Sequence, residues 1–324
     1  GKPFDLKAGF VLDQDASLSV KVHVATTVTA DLKANTHRLA DPEIDFTVLG
    51  QGYPPEGIPV QLRARSLTAD IGHGLHQLDG LRLTATWKGD GFPAAGVPIA
   101  VQVQQLVANL EAQTLDLTEF SADVAGAKLT GGLQGQEILD APRLHGPLRL
   151  EQVSPREWLP KLGIDLPATT DPAVFGRLSF AGNVAATKDS ASLEDVQLTL
   201  DDTTAKGSVG VASFETKALR FDLDVDRINA DRYLAPAPAE SAKTEESAPT
   251  EIPIDMLRTL NARGQLRVGE AIFAGVTFSK LRLGVNARDG KVRFNPAEAS
   301  MYGGTYSGDI GIDAGGEAAR MTFN

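Results

Sequence analysis

The chain has 324 residues, is 42% apolar and 23% charged, and carries 42 acidic against 31 basic side chains with no cysteine. A net charge of -11 argues against a nucleic-acid backbone or an anionic membrane surface as the main partner, because both need clustered Lys and Arg. The lack of cysteine excludes disulfide scaffolds, zinc-thiolate sites, iron-sulfur clusters and thiol nucleophiles together, and the length suits about two ordinary domains or one elongated one.

Gly1-Lys2-Pro3-Phe4-Asp5 lacks the apolar stretch of a signal peptide, and no apolar run reaches the roughly 18 residues of a membrane span. From there on, short runs alternate apolar and polar residues with period two, the mark of half-buried strands. Leu18-Val20-Val22-Val24 and Leu81-Leu83-Ala85-Trp87 are early examples. At Ser154-Pro155-Arg156-Glu157, an N-cap serine, a proline at the first helical position and a glutamate three residues after the cap predict a helix of about two turns, stopped by Gly163. A single turn is expected after Asp171-Pro172. Strands resume at Leu178-Phe180, Val196-Leu198-Leu200 and Leu219-Phe221-Leu223-Val225, the last with Arg220, Asp222, Asp224 and Asp226 on its wet face.

Residues 235–251 contain three prolines and no large apolar side chain, the next being Ile252, so a disordered linker is expected there. A second helix is expected from Pro253, with Met256, Leu257 and Leu260 on one face. After Leu281-Leu283-Val285, the dipeptide Asp289-Gly290 predicts a tight hairpin with Arg288 facing Lys291, Ala287 facing Val292 and Val285 facing Phe294. A degenerate glycine repeat runs through Gly126 to Gly135, Thr204 to Val211 and Gly303 to Ile312, with irregular spacing. The final residues, Ala319 to Asn324, read as a strand cut short, as in a piece of a longer protein. The domain reading is an N-terminal β region over 1–102, a central β region over 103–234, the linker over 235–251 and a helix plus β region over 252–324.

Candidate chemistry is sparse. His73 and His76 are two ligands at best, and two do not make a metal site. Asp222, Asp224, Asp226 and Asp231 could suggest a calcium site, but period-two spacing puts the first three on the solvated face of a strand, and a wet charged face is the expected reading. Gly50-Gln51-Gly52 is followed by prolines where a phosphate-binding helix must open, the glycines of 303–311 have no P-loop lysine, and no serine sits in a Gly-x-Ser-x-Gly elbow. No catalytic residue, metal site or cofactor is therefore expected, and the chain reads as a non-enzyme. A carbohydrate-acting enzyme lacks its paired-carboxylate signature.

What remains is much one-sided strand and little helix to cover it. Leaving about fifteen large apolar side chains in water would forfeit roughly 20 to 45 kcal/mol, more than the roughly 5 to 15 kcal/mol of a typical net stability. The dry faces must close on each other as a sandwich or curl into a trough filled by something apolar.

The series Ser154-Pro155-Arg156-Glu157-Trp158-Leu159-Pro160-Lys161-Leu162-Gly163 and Asp171-Pro172, then Leu198-Thr199-Leu200-Asp201-Asp202-Thr203, Asp226 to Leu234, and Asp289-Gly290 to Tyr302-Gly303-Gly304 resembles the AsmA family of Gram-negative envelope proteins over about Val103 to Asp313. The resemblance implies a periplasmic β-rich region tethered to the inner membrane by a helix not present in this sequence, with phospholipid transport between the membranes and outer-membrane biogenesis as the associated function. It implies phospholipid acyl chains and inner- and outer-membrane components as partners, and no nucleic acid. The expected fold is mainly β, an elongated curled antiparallel sheet of β-groove or taco-like form with a few short helices. The expected groove lining, chosen as the side chains sharing a dry face, is Leu198, Leu200, Leu219, Phe221, Leu223, Val225, Leu281, Leu283, Val285, Val292, Phe294, Tyr306 and Ile310. The alternative is an assembly scaffold for outer-membrane proteins, with a closed β-sandwich core filled by its own side chains.

Overall fold

The computed structural model describes residues 2–15, 18–236, 258–316 and 320–324. Among the described residues 68% are strand, dominated by antiparallel pairing, and helix is confined to short pieces besides 3-10 turns, as the period-two pattern requires. The chain forms two compact units, one of 1–165 with 183–188 and one of 166–182 with 189–324. Most of the expected linker, and the helix expected from Pro253 as far as Leu257, lie outside the described residues.

In the first unit the strands β1 (Phe4–Asp15), β2 (Leu18–Asp31) and β3 (Thr36–Gly50) form an antiparallel meander. The long β3 is matched by two shorter strands, β4 (Ile58–Arg63) and β5 (Ser66–Asp70), and both of these pair with β6 (Leu75–Trp87). The meander continues through β7 (Val97–Asn109), β8 (Thr114–Val124), β9 (Ala127–Gln136) and β10 (Arg143–Val153). The predicted helix follows as one turn, α1 (Pro155–Trp158), tightening into a 3-10 turn over Leu159–Leu162. Gly163 ends it in the left-handed conformation at φ 78, which glycine adopts without the Cβ penalty. The Ser154 side chain makes no capping bond; proline at the first position and the Ser154 carbonyl, which accepts from Glu157 and Trp158, define the start instead. The Trp158 indole donates to the Val124 carbonyl at 2.9 Å and pins this helix to the end of β8.

β11 (Leu178–Thr187) is followed in the second unit by β12 (Ala191–Leu200), β13 (Thr203–Ser213) and β14 (Ala218–Asn229), then by β15 (Ala262–Phe273), β16 (Val276–Arg288), β17 (Lys291–Met301), β18 (Gly304–Asp313) and the short β19 (Arg320–Phe323). From β12 to β19 each strand pairs with the next, and all these pairs are antiparallel except β14 with β15. That pair is parallel, in register from Leu219 beside Ala262 to Asn229 beside Ile272. The sheet is thus antiparallel, as expected, in all these pairs but one. A parallel pair cannot be joined by a tight turn, and Ala262, at the start of β15, lies beside Leu219, near the start of β14.

The hairpin at Asp289-Gly290 has the expected register: Arg288 faces Lys291, Ala287 faces Val292 and Val285 faces Phe294. Both turn residues have positive φ, 52 and 74, as a type I′ turn demands.

The glycine repeat is more regular in space than in sequence. In three hairpins a bulged strand returns through a two-residue turn, Ala125-Gly126, Asp201-Asp202 or Tyr302-Gly303. The first turn residue is left-handed each time, with φ 52, 51 and 49. The residue after each bulge faces a glycine, Phe120 to Gly131, Val196 to Gly207 and Ala297 to Gly308, the same number of residues apart in all three. A Cβ at any of these glycines would come under 3.0 Å from a carbonyl oxygen of the following segment, at Pro147, Asp222 and Asn324 respectively. The bulge bends one strand and the glycine admits the backbone that follows, so one supersecondary unit is reused. Spacing measured from the turns is constant; only the glycines scattered around them made it look irregular.

Candidate functional site

Register places all thirteen expected lining residues on one face of the second unit. One row across the sheet reads Leu193, Val209, Phe221, Gly264, Val285, Phe294, Ile310 and Phe323. A second reads Val196, Gly207, Leu223, Leu266, Leu283, Ala297 and Gly308. A third joins Leu219 to Ala262, Ala287, Val292 and Ile312, and a fourth joins Leu198 to Ala205, Val225, Val268 and Leu281. Leu200 lies opposite Thr203 and Tyr306 opposite Ala299 at the same end as the fourth row. From Leu219 to Val225 the parallel seam leaves the alternation unbroken, because the register matches apolar to apolar and polar to polar across it.

Burial on this face is graded. The small residues are buried, Ala287 and Ala297 at 1% and 2% exposure, whereas Phe221, Leu223, Leu281, Leu283, Val285 and Phe294 are only half-buried and Leu219 is exposed. Large side chains shelter the small ones between them while their own tops stay open. Among the described residues only Ile58 and Val174 are large side chains below 2% exposure. Val292 differs from the rest of the expected lining. It forms a closed cluster with Ala262 and Ala287, packed over by Phe221, Leu260, Phe294 and Ile312, and so presents little surface. Leu260, one of the three apolar residues expected on the second helix, covers one end of the face.

The other end holds a polar knot that sequence reasoning did not assign. Asp201, 7% exposed, accepts from the backbone N–H groups of Phe175, Gly176 and Arg177 at 2.8, 2.9 and 3.1 Å and from the Tyr233 hydroxyl at 2.7 Å. The Tyr233 and Phe175 rings meet edge to face, with centroids 5.3 Å apart. Arg232 donates to Asp171 at 2.7 Å and to Asp202 at 2.9 Å. Burial by itself would raise the Asp201 pKa, but the Tyr233 hydroxyl and the three N–H groups outweigh it and hold the carboxyl below its usual value. Burial and the adjoining Asp201 charge push the Tyr233 hydroxyl up. Three segments, around Asp171-Pro172, Asp201-Asp202 and Asp226 to Leu234, therefore converge here, and the turn expected after Asp171-Pro172 is the one that docks on Asp201. The signal lay in the acidic dipeptide after an apolar strand, but its partners are remote in sequence.

The first unit has an equally continuous apolar face that the sequence reading did not single out. One row runs Ala8, Val24, Ile44, Leu62, Leu83, Val101, Ala122, Leu129 and Leu150, and its neighbour runs Phe10, Val22, Phe46, Val60, Ala85, Ile99, Val124 and Ala127. Alternation was visible in each strand separately. What joins them into one surface is register.

The opposite faces are polar and cross-linked. Arg267 is held by both Asp222 and Asp224, and Arg293 by Asp309. Asp226 accepts from the Thr204 and Arg227 N–H groups, and Asp231 from those of Ala274 and Gly275, so the four aspartates are tie points between strands as well as solvated groups. His73, in the 3-10 turn before β6, pairs with Asp70 at 2.9 Å, while His76 lies within β6 opposite Ala69. Among the described residues no group of three or more His, Asp or Glu side chains is placed to hold a metal ion, and no helix is long and apolar enough to cross a membrane. Compared with protein-family models, curated proteins and solved structures, the chain matches none.

Proposed function

We propose that the apolar sheet faces bind lipid acyl chains, and that the chain is the periplasmic part of an AsmA-like envelope protein that shields phospholipid in transit between the inner and outer membranes, in the service of outer-membrane biogenesis. The observation that carries this reading is the graded burial of the second unit's face: a row-by-row apolar surface whose large side chains, Phe221, Leu223, Leu283 and Phe294 among them, remain half open. Acyl chains laid against these side chains would complete their burial, while headgroups stay in water at the rim and no charge need be desolvated. The protein acts passively, without catalytic residues or a cofactor, and is held at the inner membrane by a segment outside these 324 residues. The scaffold alternative needs a second layer packed on the same side chains, and their residual exposure weighs against it.

The test is site-specific photo-crosslinking in cells, with the reactive residue at Leu223 or Leu283 on the apolar face and at Asp222 on the polar one. Lipid adducts are expected at the first two positions and not at the third. Adducts at all three, or at none, would overturn the reading.

A further inference from the structure

The charged face of the second unit carries a feature that acyl-chain binding does not use. Across the parallel seam Arg220 lies directly beside Arg263, on strands about 4.8 Å apart. Like charges in directly opposed positions destabilise a sheet. Arg267, on the same face, is neutralised by Asp222 and Asp224, and Arg293, two strands further along the Arg263 row, by Asp309. Among the described residues the side chains of Arg220 and Arg263 have neither an ion-pair nor a hydrogen-bond partner. Both border a hollow of about 1170 Å³ whose lining also includes Lys206, Ser192 and Ser208. Gly210, in register between Ser192 and Arg220, leaves the floor beside the arginines without a side chain. Four carboxylates also reach the hollow, Glu194, Asp195, Asp222 and Asp224; Asp222 and Asp224 are paired with Arg267, and Glu194 accepts from the Ser192 hydroxyl. In a chain of net charge -11, two adjacent guanidinium groups at one hollow with no carboxylate paired to either are the feature that calls for an anion.

We propose that this hollow is a binding site for a phosphate-bearing anion, with Arg220 and Arg263 as the paired forks that clasp it. Two guanidinium groups side by side offer parallel N–H donors matched to phosphate oxygens, and an anion between them turns a repulsive pair into a bridged one. Lys206 adds a point charge and Ser208 a hydroxyl from the neighbouring strand. The hollow has room for a group larger than phosphate itself, such as a phosphorylated sugar or a phospholipid headgroup. The sheet separates it from the apolar face, so a lipid lying in the apolar rows cannot place its own headgroup here. The inference therefore stands or falls independently of lipid binding on that face.

The experiment is isothermal titration of the protein with inorganic pyrophosphate at about 0.15 M salt, where diffuse surface attraction is largely screened, together with thermal melts. One saturable site is expected, weakened at least tenfold in Arg220→Gln and in Arg263→Gln, partly kept in Arg263→Lys, and unchanged in Arg288→Gln, which alters an exposed arginine elsewhere. Without pyrophosphate, Arg263→Gln should melt no lower than the parent, because it relieves the like-charge contact; with pyrophosphate the order should reverse. Co-sedimentation with phosphatidylglycerol vesicles, lost in the same variants, would put the phosphate on a membrane, and pyrophosphate binding without co-sedimentation would put it on a soluble molecule. Absence of saturable binding, or equal loss in Arg288→Gln, would overturn the proposal.

Discussion

Replacing Asp201 tests whether the polar knot fixes the turn beside it. Its carboxylate accepts three backbone N–H groups and one hydroxyl. Hydrogen bonds to a charged group contribute about 1.5 to 3 kcal/mol each, so four give a ceiling of about 6 to 12 kcal/mol. That ceiling will not be reached, because the turn over 171–177 can open and expose its N–H groups to water, capping the loss near the free energy of docking that segment. Asp201→Ala is expected to cost about 3 to 5 kcal/mol, and Asp201→Asn about 2 to 3, since the amide keeps an acceptor oxygen but turns its NH₂ toward other donors. Asp202→Asn, at the exposed neighbour that pairs with Arg232, should cost no more than about 1 kcal/mol. Denaturant melts give these differences, and hydrogen exchange at Phe175, Gly176 and Arg177 should accelerate in the Asp201 variants alone.

The pH dependence follows from the direction of the Asp201 shift. The folded protein holds this carboxyl below its unfolded value of about 3.9, so its stabilisation is fully present above that value and is lost as pH falls through the folded pKa. The gap between the parent and Asp201→Asn should thus be constant from pH 7 to about 5 and narrow below about pH 4. A gap that widens on acidification, or an Asp202→Asn effect as large as that of Asp201→Asn, would refute the reasoning.

Two further outcomes are expected. Phe221→Asp and Val285→Asp place a charge on the apolar face and should each cost at least about 3 kcal/mol in denaturant melts; Asp222→Asn and Asp224→Asn, at exposed partners of Arg267, should cost no more than about 1 kcal/mol, and equal effects would mean that the faces are misassigned. Gly207→Ala, which drives a Cβ into the Asp222 carbonyl at φ 134, should lower thermal stability far more than Gly126→Ala, where φ is 93 and nothing lies within 4 Å; similar melts would refute the role given to the glycine in the repeated hairpin.

The sequence alone determined the features that are local along the chain. Period-two alternation assigned Phe221 and Asp222 to opposite faces because side-chain direction in a strand depends only on position. Asp289-Gly290 determined a register because a two-residue turn leaves no freedom in what faces what, and Ser154-Pro155 with Gly163 marked the limits of a helix through first-turn and left-handed backbone preferences. Tertiary structure decided whatever depends on residues distant in sequence. That β14 and β15 run parallel follows from where the chain re-enters the sheet, so neither strand's own pattern records it. Asp201 and Asp222 look alike in sequence, each an aspartate in or beside an apolar strand, yet one is buried under three N–H groups from 175–177 and the other is exposed beside Arg267. The constant spacing of the glycine hairpins appeared only once the bulges were placed, since a bulge shifts the apparent period without changing the hydrophobic pattern on either side. Arg220 and Arg263 are neighbours only because of the parallel seam; a period in the sequence reports which face a side chain takes, and register alone reports what stands beside it.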